Sequence, residues 1–537
     1  MLVSFALLVY AYVITYCVGA FAWALLKKFF AIEIEGDLNP AILPIIGISF
    51  ISVVIAIYHF FFPIDWVVHV FFIAFIFSKP STLVFLLKSI GSNLKENWLI
   101  FGVLLLGAIL SIVSRPGSGD IADYHLQAIK WAENYPNIPG LGNFNRPLAN
   151  NNWWFNFQSF IGFSWLGVKS VYVGNALFFF VAFSWFYFSR VLSKAHQWMR
   201  LLFGTFIILS FKTAFIGAVT PDFEVTLTIY LLLDLFIFWW FEPKNRAAYF
   251  LLIVLICCWI LTVKATAISF GMLALPGLWE YLKNKQFKTP IKVIGLASIF
   301  ILPWLIGNVI ISGYLLYPFH QINLFHFDWK IPEYMLKWET FSIKNWGKIS
   351  GQDVYITSQL RMQEWLPIWF LKLDLLNRLL ILLFVLSTPI LWVFGLKRKE
   401  LIWPIIFIQS GFLLLFLNGP HPRFLFGYMV SSIAMVLYLM APLIKFEIPK
   451  LALIYLAGLF AFYLGFKTVQ SGNLQAGMIH PISYPQNHLP TIQLGSIKPI
   501  VTTIGGSCWD QFPCTYYLID SVGMRTQNIE DGFRVKE

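Results

Sequence analysis

SRPGSGDIADYHLQAIKWAENYPNIPGLGNFNRPLANNNWW, residues 114–154, is a polar stretch set between long apolar ones. It carries Asp120, Asp123, His125, Glu133, Arg146 and a run of asparagines. Polar groups packed this densely between apolar runs mark a site rather than a tether. Outward from it the chain is 58% hydrophobic and only 12% charged over 537 residues, where a soluble domain carries about a quarter charged residues. The composition therefore specifies an all-α polytopic membrane protein.

Counting apolar runs of roughly 17–25 residues gives about fourteen spans: 3–26, 41–62, 66–87, 97–114, 169–189, 201–219, 224–241, 247–263, 266–282, 290–312, 376–396, 401–418, 424–444 and 451–467. Lys27/Lys28, Lys88/Lys95, Arg190/Lys194/Arg200, Lys244/Arg246, Lys283/Lys285/Lys288, Lys397/Arg398/Lys399 and Lys445/Lys450 fall on alternate turns. The positive-inside bias makes these turns cytoplasmic. The N-terminus, loop 115–168, the turns at Thr220–Asp222, Lys264–Thr266 and Gly419–Arg423, loop 313–375 and the C-terminal tail then share the outer face. The segment from Leu2 to Leu26 has no basic n-region or small-residue cleavage site, and is expected to stay as a span.

The net charge of +12 sits in short loops and forms no basic stripe on a soluble fold, which excludes a nucleic-acid partner. Cys17, Cys257 and Cys258 lie in apolar runs and behave as small buried hydrophobes. Cys508 and Cys514, in CWDQFPC, lie in a Pro/Gly/Ser/Thr-rich tail, where an oxidising outer compartment favours a disulfide. No P-loop, GxGxxG, HExxH or GxSxG occurs in a convincing context.

Asp120 and Asp123 lie one turn apart if a helix begins at Ser118 to Asp120. They can serve as general base for an acceptor hydroxyl or amine or hold a divalent cation such as Mg or Mn, with Asp222 as a third ligand. The plainer alternative makes Asp120 or Ser118 a helix cap and Asp123 a first-turn dipole residue. Asp123 to Trp131 has the mixed pattern of a helix lying on the membrane. Asp222 and Glu224 open another span, Lys264 tips a short hairpin, and Arg423 follows His421-Pro422. Acids and cations in one plane suit transfer from a phosphate-linked donor, because Arg and Lys stabilise a leaving phosphate. His125 would orient Asp120 or bind a metal; alternatively it is an interfacial histidine bonded to a carbonyl. Arg146 and Asn150–Asn152, Asn151 among them, suit sugar hydroxyls or simply form turns. Trp153-Trp154 reads as an interfacial anchor.

This order of motifs resembles the GT-C class of integral membrane glycosyltransferases. The matching residues are Asp120-x-x-x-Tyr124-His125 in the first outer loop of the core, Pro221-Asp222 at the next outer turn, Pro303, Trp304, Asn308, Gly313, Tyr317 and Pro318 around one span, and Arg423 opening a late one. The resemblance covers roughly 97–467. It implies a polyprenyl-phosphate-linked sugar as donor and an envelope glycan, lipid or protein as acceptor, in the membrane lipid of a bacterial inner membrane. The active site and both termini would then face the periplasm. By residue, it implies Asp120 as base supported by Asp123 and His125, Arg423 and Lys264 on the donor phosphate, and Asp222, Glu224, Arg146, Asn151 and Asn308 around the pocket. The second acid that commonly follows the catalytic one in that class is replaced here by Ile121-Ala122. Three domains follow: a three-span module at 1–96, the core at 97–467 and an outer tail at 468–537. YHLQ, GLGN, CWDQFPC and DGFR also resemble a group of uncharacterised bacterial multi-pass envelope proteins. A polysaccharide polymerase or ligase would share the donor chemistry, whereas a flippase or other transporter would place ionisable groups and broken helices near the bilayer midplane.

Overall fold

The computed structural model describes residues 1–35, 39–113, 120–166, 171–209, 215–445, 451–470, 479, 483–485, 490–502, 507–515 and 521–536, with backbone alone for 89–96, 451 and 453. Ser118, Lys450 and the side chain of Lys95 lie outside the described residues, as do the start of the expected 169–189 span and part of the 201–219 one.

The protein is helical and membrane-embedded. Among the described residues, eight helices are long and apolar enough to cross a bilayer: Leu2–Phe30, Pro40–Tyr58, Asp222–Phe241, Pro243–Val263, Lys288–Ser312, Leu375–Lys397, Lys399–Asn418 and Pro422–Leu443. The remaining expected spans do not appear as long apolar helices among the described residues, for local reasons. Run 66–87 becomes Trp66–Ser78 and Pro80–Lys88, bent by 79° at Lys79, because Pro80 cannot donate the amide that would continue the helix. Asn97–Val113, Gly174–Phe188 and Ile454–Gln470 are shorter apolar helices. Run 201–219 belongs to the 16-residue helix Lys194–Leu209, which begins on polar residues.

Run 266–282 is built differently. It opens as a nine-residue 3-10 helix, Ala265–Leu273, and continues as the α-helix Leu275–Lys283. At ~2.0 Å per residue in 3-10 geometry and ~1.5 Å in α, the two together reach about 30 Å, close to the hydrocarbon thickness.

The first two long helices cross through paired glycines. A Cβ on Gly19 would run into the Leu43 carbonyl, and one on Gly47 into that of Thr15. Small residues let the backbones touch, which is how helices associate where no hydrophobic effect drives them. The pair then joins the remaining helices, with Trp259 Nε1 donating to Ser52 Oγ at 3.3 Å and Asn137 N–H to the His59 carbonyl at 2.8 Å.

Charge divides between the two ends of the bundle. One end gathers the basic turns: Lys244 pairs with Glu35, Arg190 with Glu242, and Arg246 with Glu280. The other gathers the 120–162 segment, the 220, 264 and 420 turns, the 333–372 helices and the tail. The Asp120–Asn134 segment does not lie on a membrane surface. Leu126, Gln127, Ile129, Trp131 and Ala132 are buried between helix Trp153–Gly162 and the tail. Trp153 and Trp154 are likewise buried rather than interfacial, and Trp154 Nε1 donates to Asn175 Oδ1 at 3.0 Å.

Cys508 and Cys514 form the expected disulfide. Two short pairings order the tail: Ile500–Val501 runs parallel to Cys514–Thr515, and Val522–Met524 antiparallel to Phe533–Val535. The tail docks on the very motifs that stood out in the sequence. Gln127 of YHLQ donates Nε2 to the carbonyls of Trp509 (3.1 Å) and Gln511 (2.7 Å), and its Oε1 accepts from Cys514 N–H at 3.0 Å. Asn143 of GLGN reaches the carbonyl of Phe533 in DGFR at 3.3 Å.

Candidate active site

Four elements distant in sequence supply one charged cluster. Asp222 opens its helix after Pro221, where the helix dipole favours a carboxylate. Arg423 lies in the first turn after Pro422, and its N–H is accepted by His421 Nδ1 at 3.4 Å, a histidine cap for that helix. Lys264 sits at the switch from the Pro243–Val263 helix to the 3-10 segment, in extended conformation. Asp120 precedes a single π-helical turn, Ile121–His125.

That turn has a specific cause and partner. Leu126 N–H bonds back to the Ile121 carbonyl, one residue further than α geometry allows, so the Ala122 carbonyl loses its usual donor. Trp509 N–H of the tail takes it at 2.8 Å. π turns are rare and concentrate at functional sites; this one is held by the disulfide-closed loop.

Arg423 bridges the two acids. Its Nη2 lies 2.5 Å from Asp120 Oδ2, and its Nε lies 3.2 Å from Asp222 Oδ2 without hydrogen-bond alignment. Lys264 pairs with Asp222 and sits 4.0 Å from the Phe424 ring centroid. Asp120 makes no capping bond, so its carboxylate is committed to Arg423 rather than to a helix end. The side chains of Asp120 (27% exposed) and of Arg423 and Lys264 (24% each) remain reachable. Above them Trp346 stacks on His421, with centroids 4.8 Å apart, and lies 5.6 Å from the Arg423 guanidinium. Trp369 Nε1 fixes the neighbouring turn through the Pro420 carbonyl at 2.7 Å.

Burial, with Asp120 adding like charge and the Ser507 hydroxyl opposing, raises the Asp123 carboxyl to about 6. Burial lowers His125 to about 4 against the pull of Asp120 and Asp222, so it is neutral at pH 7. It packs between Tyr124 and Phe155. His421 is also lowered to about 4, by burial and then by Arg423.

The remaining expected residues stand elsewhere. Asn151 Nδ2 donates to the Trp304 carbonyl at 2.8 Å and Trp304 Nε1 to the Asn151 carbonyl at 3.1 Å. Asn308 donates to the Leu315 carbonyl at 3.0 Å. Both are buried and hold chain segments together. Arg146 lies 4.0 Å from Glu339 of the long loop. Glu224 is fully buried, and its carboxylate oxygens find no partner among the described residues. Asp120, Asp123 and Asp222 do not form a cation cage, and no group of three potential ligands occurs among the described residues. Arg423 stands between two of these acids, so the arrangement does not fit a divalent metal.

The sequence does not single out the aromatic roof: Trp346 lies in a long loop and Phe424 is one of many phenylalanines in the spans. Sequence reading also missed a second charged cluster at the basic end. There Asp234 accepts from His196 Nε2 and Arg200 Nε at 2.7 Å on one oxygen, and from Arg200 Nη2 at 2.7 Å and Trp185 Nε1 at 2.8 Å on the other. Arg200 Nη1 then bonds the carbonyls of Ser189 and Arg190. An aspartate inside an apolar run was the available signal, since such residues seldom lack a partner.

The chain belongs to the family described as Domain of unknown function (DUF8201), whose model matches residues 1–430. The match takes in the expected three-span module and the expected core as far as residue 430. No curated protein and no solved structure matches the chain.

Proposed function

We propose that the protein is a membrane glycosyltransferase that moves a sugar from a polyprenyl-phosphate-type lipid to an envelope acceptor at the periplasmic face of an inner membrane. One observation carries this reading: two carboxylates and two cations from four separated elements meet at one end of the bundle, reachable from outside. Paired acids supply a base, and paired cations supply a seat for a phosphate.

The arrangement suggests how the two are coupled. Arg423 and Lys264 are neutralised by Asp120 and Asp222 in the resting protein. A donor phosphate competes for the same guanidinium and ammonium groups, and when it binds it releases Asp120 from Arg423. Asp120 then takes the proton of the acceptor hydroxyl as the new O–C1 bond forms. The C1–O bond to phosphate breaks, and the polyprenyl phosphate leaves with the electron pair, held by both cations. Displacement from the opposite face inverts the anomeric centre. Asp123, whose carboxyl burial raises to about 6, must be ionised to support Asp120, and neutral His125 packs behind the pair. Trp346 over Arg423 limits water around the charges, which strengthens them.

The bend at Lys79 and the 3-10 segment are the features that favour a transport reading instead. Envelope glycans compared by mass in a deletion strain carrying wild type, Asp120→Asn or Asp123→Asn, at matched membrane levels, decide between them. Loss of a glycan restored only by wild type is the expected result. Full restoration by Asp120→Asn removes the base assignment, and an unchanged glycan profile in the deletion strain removes the transferase reading.

A further inference from the structure

At the end opposite the candidate active site, the ends of several helices surround a cavity of about 750 Å³. That volume lies within the ~300–1,000 Å³ range of sites that hold small molecules. Its polar side presents Arg190, Lys194 and Arg398 against one carboxylate, Glu242. Its apolar side is made by Phe241, Val191 and Pro442. Phe241 is 45% and Val191 37% exposed, so apolar surface stands open beside the cations.

None of the three cations is fully engaged. Arg190 pairs with Glu242 while its side chain is 68% exposed. Arg398 lies 3.4 Å from Glu400 and is 51% exposed. Exposed ion pairs of this kind contribute little, and so exchange readily for a better anion. Lys194 donates to the Ile444 carbonyl at 2.6 Å, which among the described residues leaves donors of its ammonium for a ligand. The wall is also preorganised, because Arg200 of the Asp234 cluster bonds the carbonyls of Ser189 and Arg190 and thereby fixes the loop that carries the first cation.

We propose that this cavity binds an anionic phospholipid. Arg190, Lys194 and Arg398 hold its phosphodiester, and an acyl chain lies over Phe241, Val191 and Pro442. Arginine forks match phosphate oxygens in pairs, and basic pockets between helix ends suit anionic headgroups. A soluble phosphate compound would use the same cations but leave the apolar wall in water; the open wall favours the lipid.

Native mass spectrometry of the full chain released from detergent tests this, with phosphatidylglycerol, phosphatidylcholine and inorganic phosphate added in turn. Retention of phosphatidylglycerol over phosphatidylcholine is expected, with an apparent affinity about tenfold lower in Lys194→Gln/Arg398→Gln. Arg398→Gln alone, at an exposed position, should lose part of the binding and guards against a folding defect. Lys283→Gln/Lys285→Gln removes equal charge at the same end outside the cavity and should leave retention unchanged. Equal retention of phosphatidylcholine, or equal loss in the Lys283/Lys285 variant, overturns the proposal. Displacement of the lipid by inorganic phosphate would make the occupant a free phosphate compound and overturn it too.

Discussion

The helix Asp222–Phe241 carries a charged cluster near each end, and the two are built on opposite plans. Asp234 is fully buried, and every oxygen contact is an aligned hydrogen bond from His196, Arg200 or Trp185. Asp222 meets Arg423 without alignment, beside an Asp120 that is partly open to solvent. A buried ion pair is tolerable only when its geometry is saturated; the Asp234 cluster meets that condition and staples three helices. Among the described residues the Asp222 cluster leaves Arg423 Nε unbonded where a ligand can reach the charges, which is the condition for exchange.

Breaking the staple should give the largest effect. Asp234→Ala strands Arg200 and His196 in the interior and should cost about 3–5 kcal/mol, seen as loss of folded, monodisperse protein and a lower thermal midpoint. A variant that folds normally but makes no product would invert the comparison. Asp120→Asn and Arg423→Gln should each cut transfer by about 100-fold or more at unchanged thermal midpoint, measured with purified protein and lipid-linked donor. Loss of the midpoint in both would make that cluster a second staple.

Smaller changes sharpen the contrast. Gln127→Leu leaves the Cys514 amide and the Trp509 and Gln511 carbonyls without their partner, and should cost about 1–3 kcal/mol, with faster hydrogen exchange in 120–127 than elsewhere. Uniform acceleration would show that the tail does not act locally. The smallest change concerns pH. Asp123 must be ionised, so activity should fall as pH drops through about 6. The Ser507 hydroxyl favours the ionised form, so Ser507→Ala raises the carboxyl and should move that acid limb to higher pH. A shift to lower pH would remove Ser507 from the site.

Much of this was legible because it depends on residue type at helix ends. Asp120, Asp222, Lys264 and Arg423 each mark a turn between apolar runs, and alternate basic turns predict that those four share one end. The disulfide was legible from Cys508 and Cys514 in a polar tail. Span number was not, because hydropathy counts residues and not rise: Pro80 bends one run, and Ala265–Leu273 stretches another. The roles of Asn151 and Asn308 were hidden because an amide that suits a sugar hydroxyl suits a backbone carbonyl equally well. The π turn left no trace in sequence, since its cause lies nearly four hundred residues away in Trp509.

That last contact sets an order of events in the making of the protein. Trp509 is synthesised after all eight long apolar helices, and the loop that presents it is closed by an oxidation between Cys508 and Cys514. A nascent chain can insert all its helices and still hold Asp120 and Asp123 on an unsecured turn. The turn is secured only once the tail has reached the same side and its thiols have been oxidised, so a chain truncated before residue 507 should insert with faster hydrogen exchange at 120–127 and, on the proposed function, without transfer.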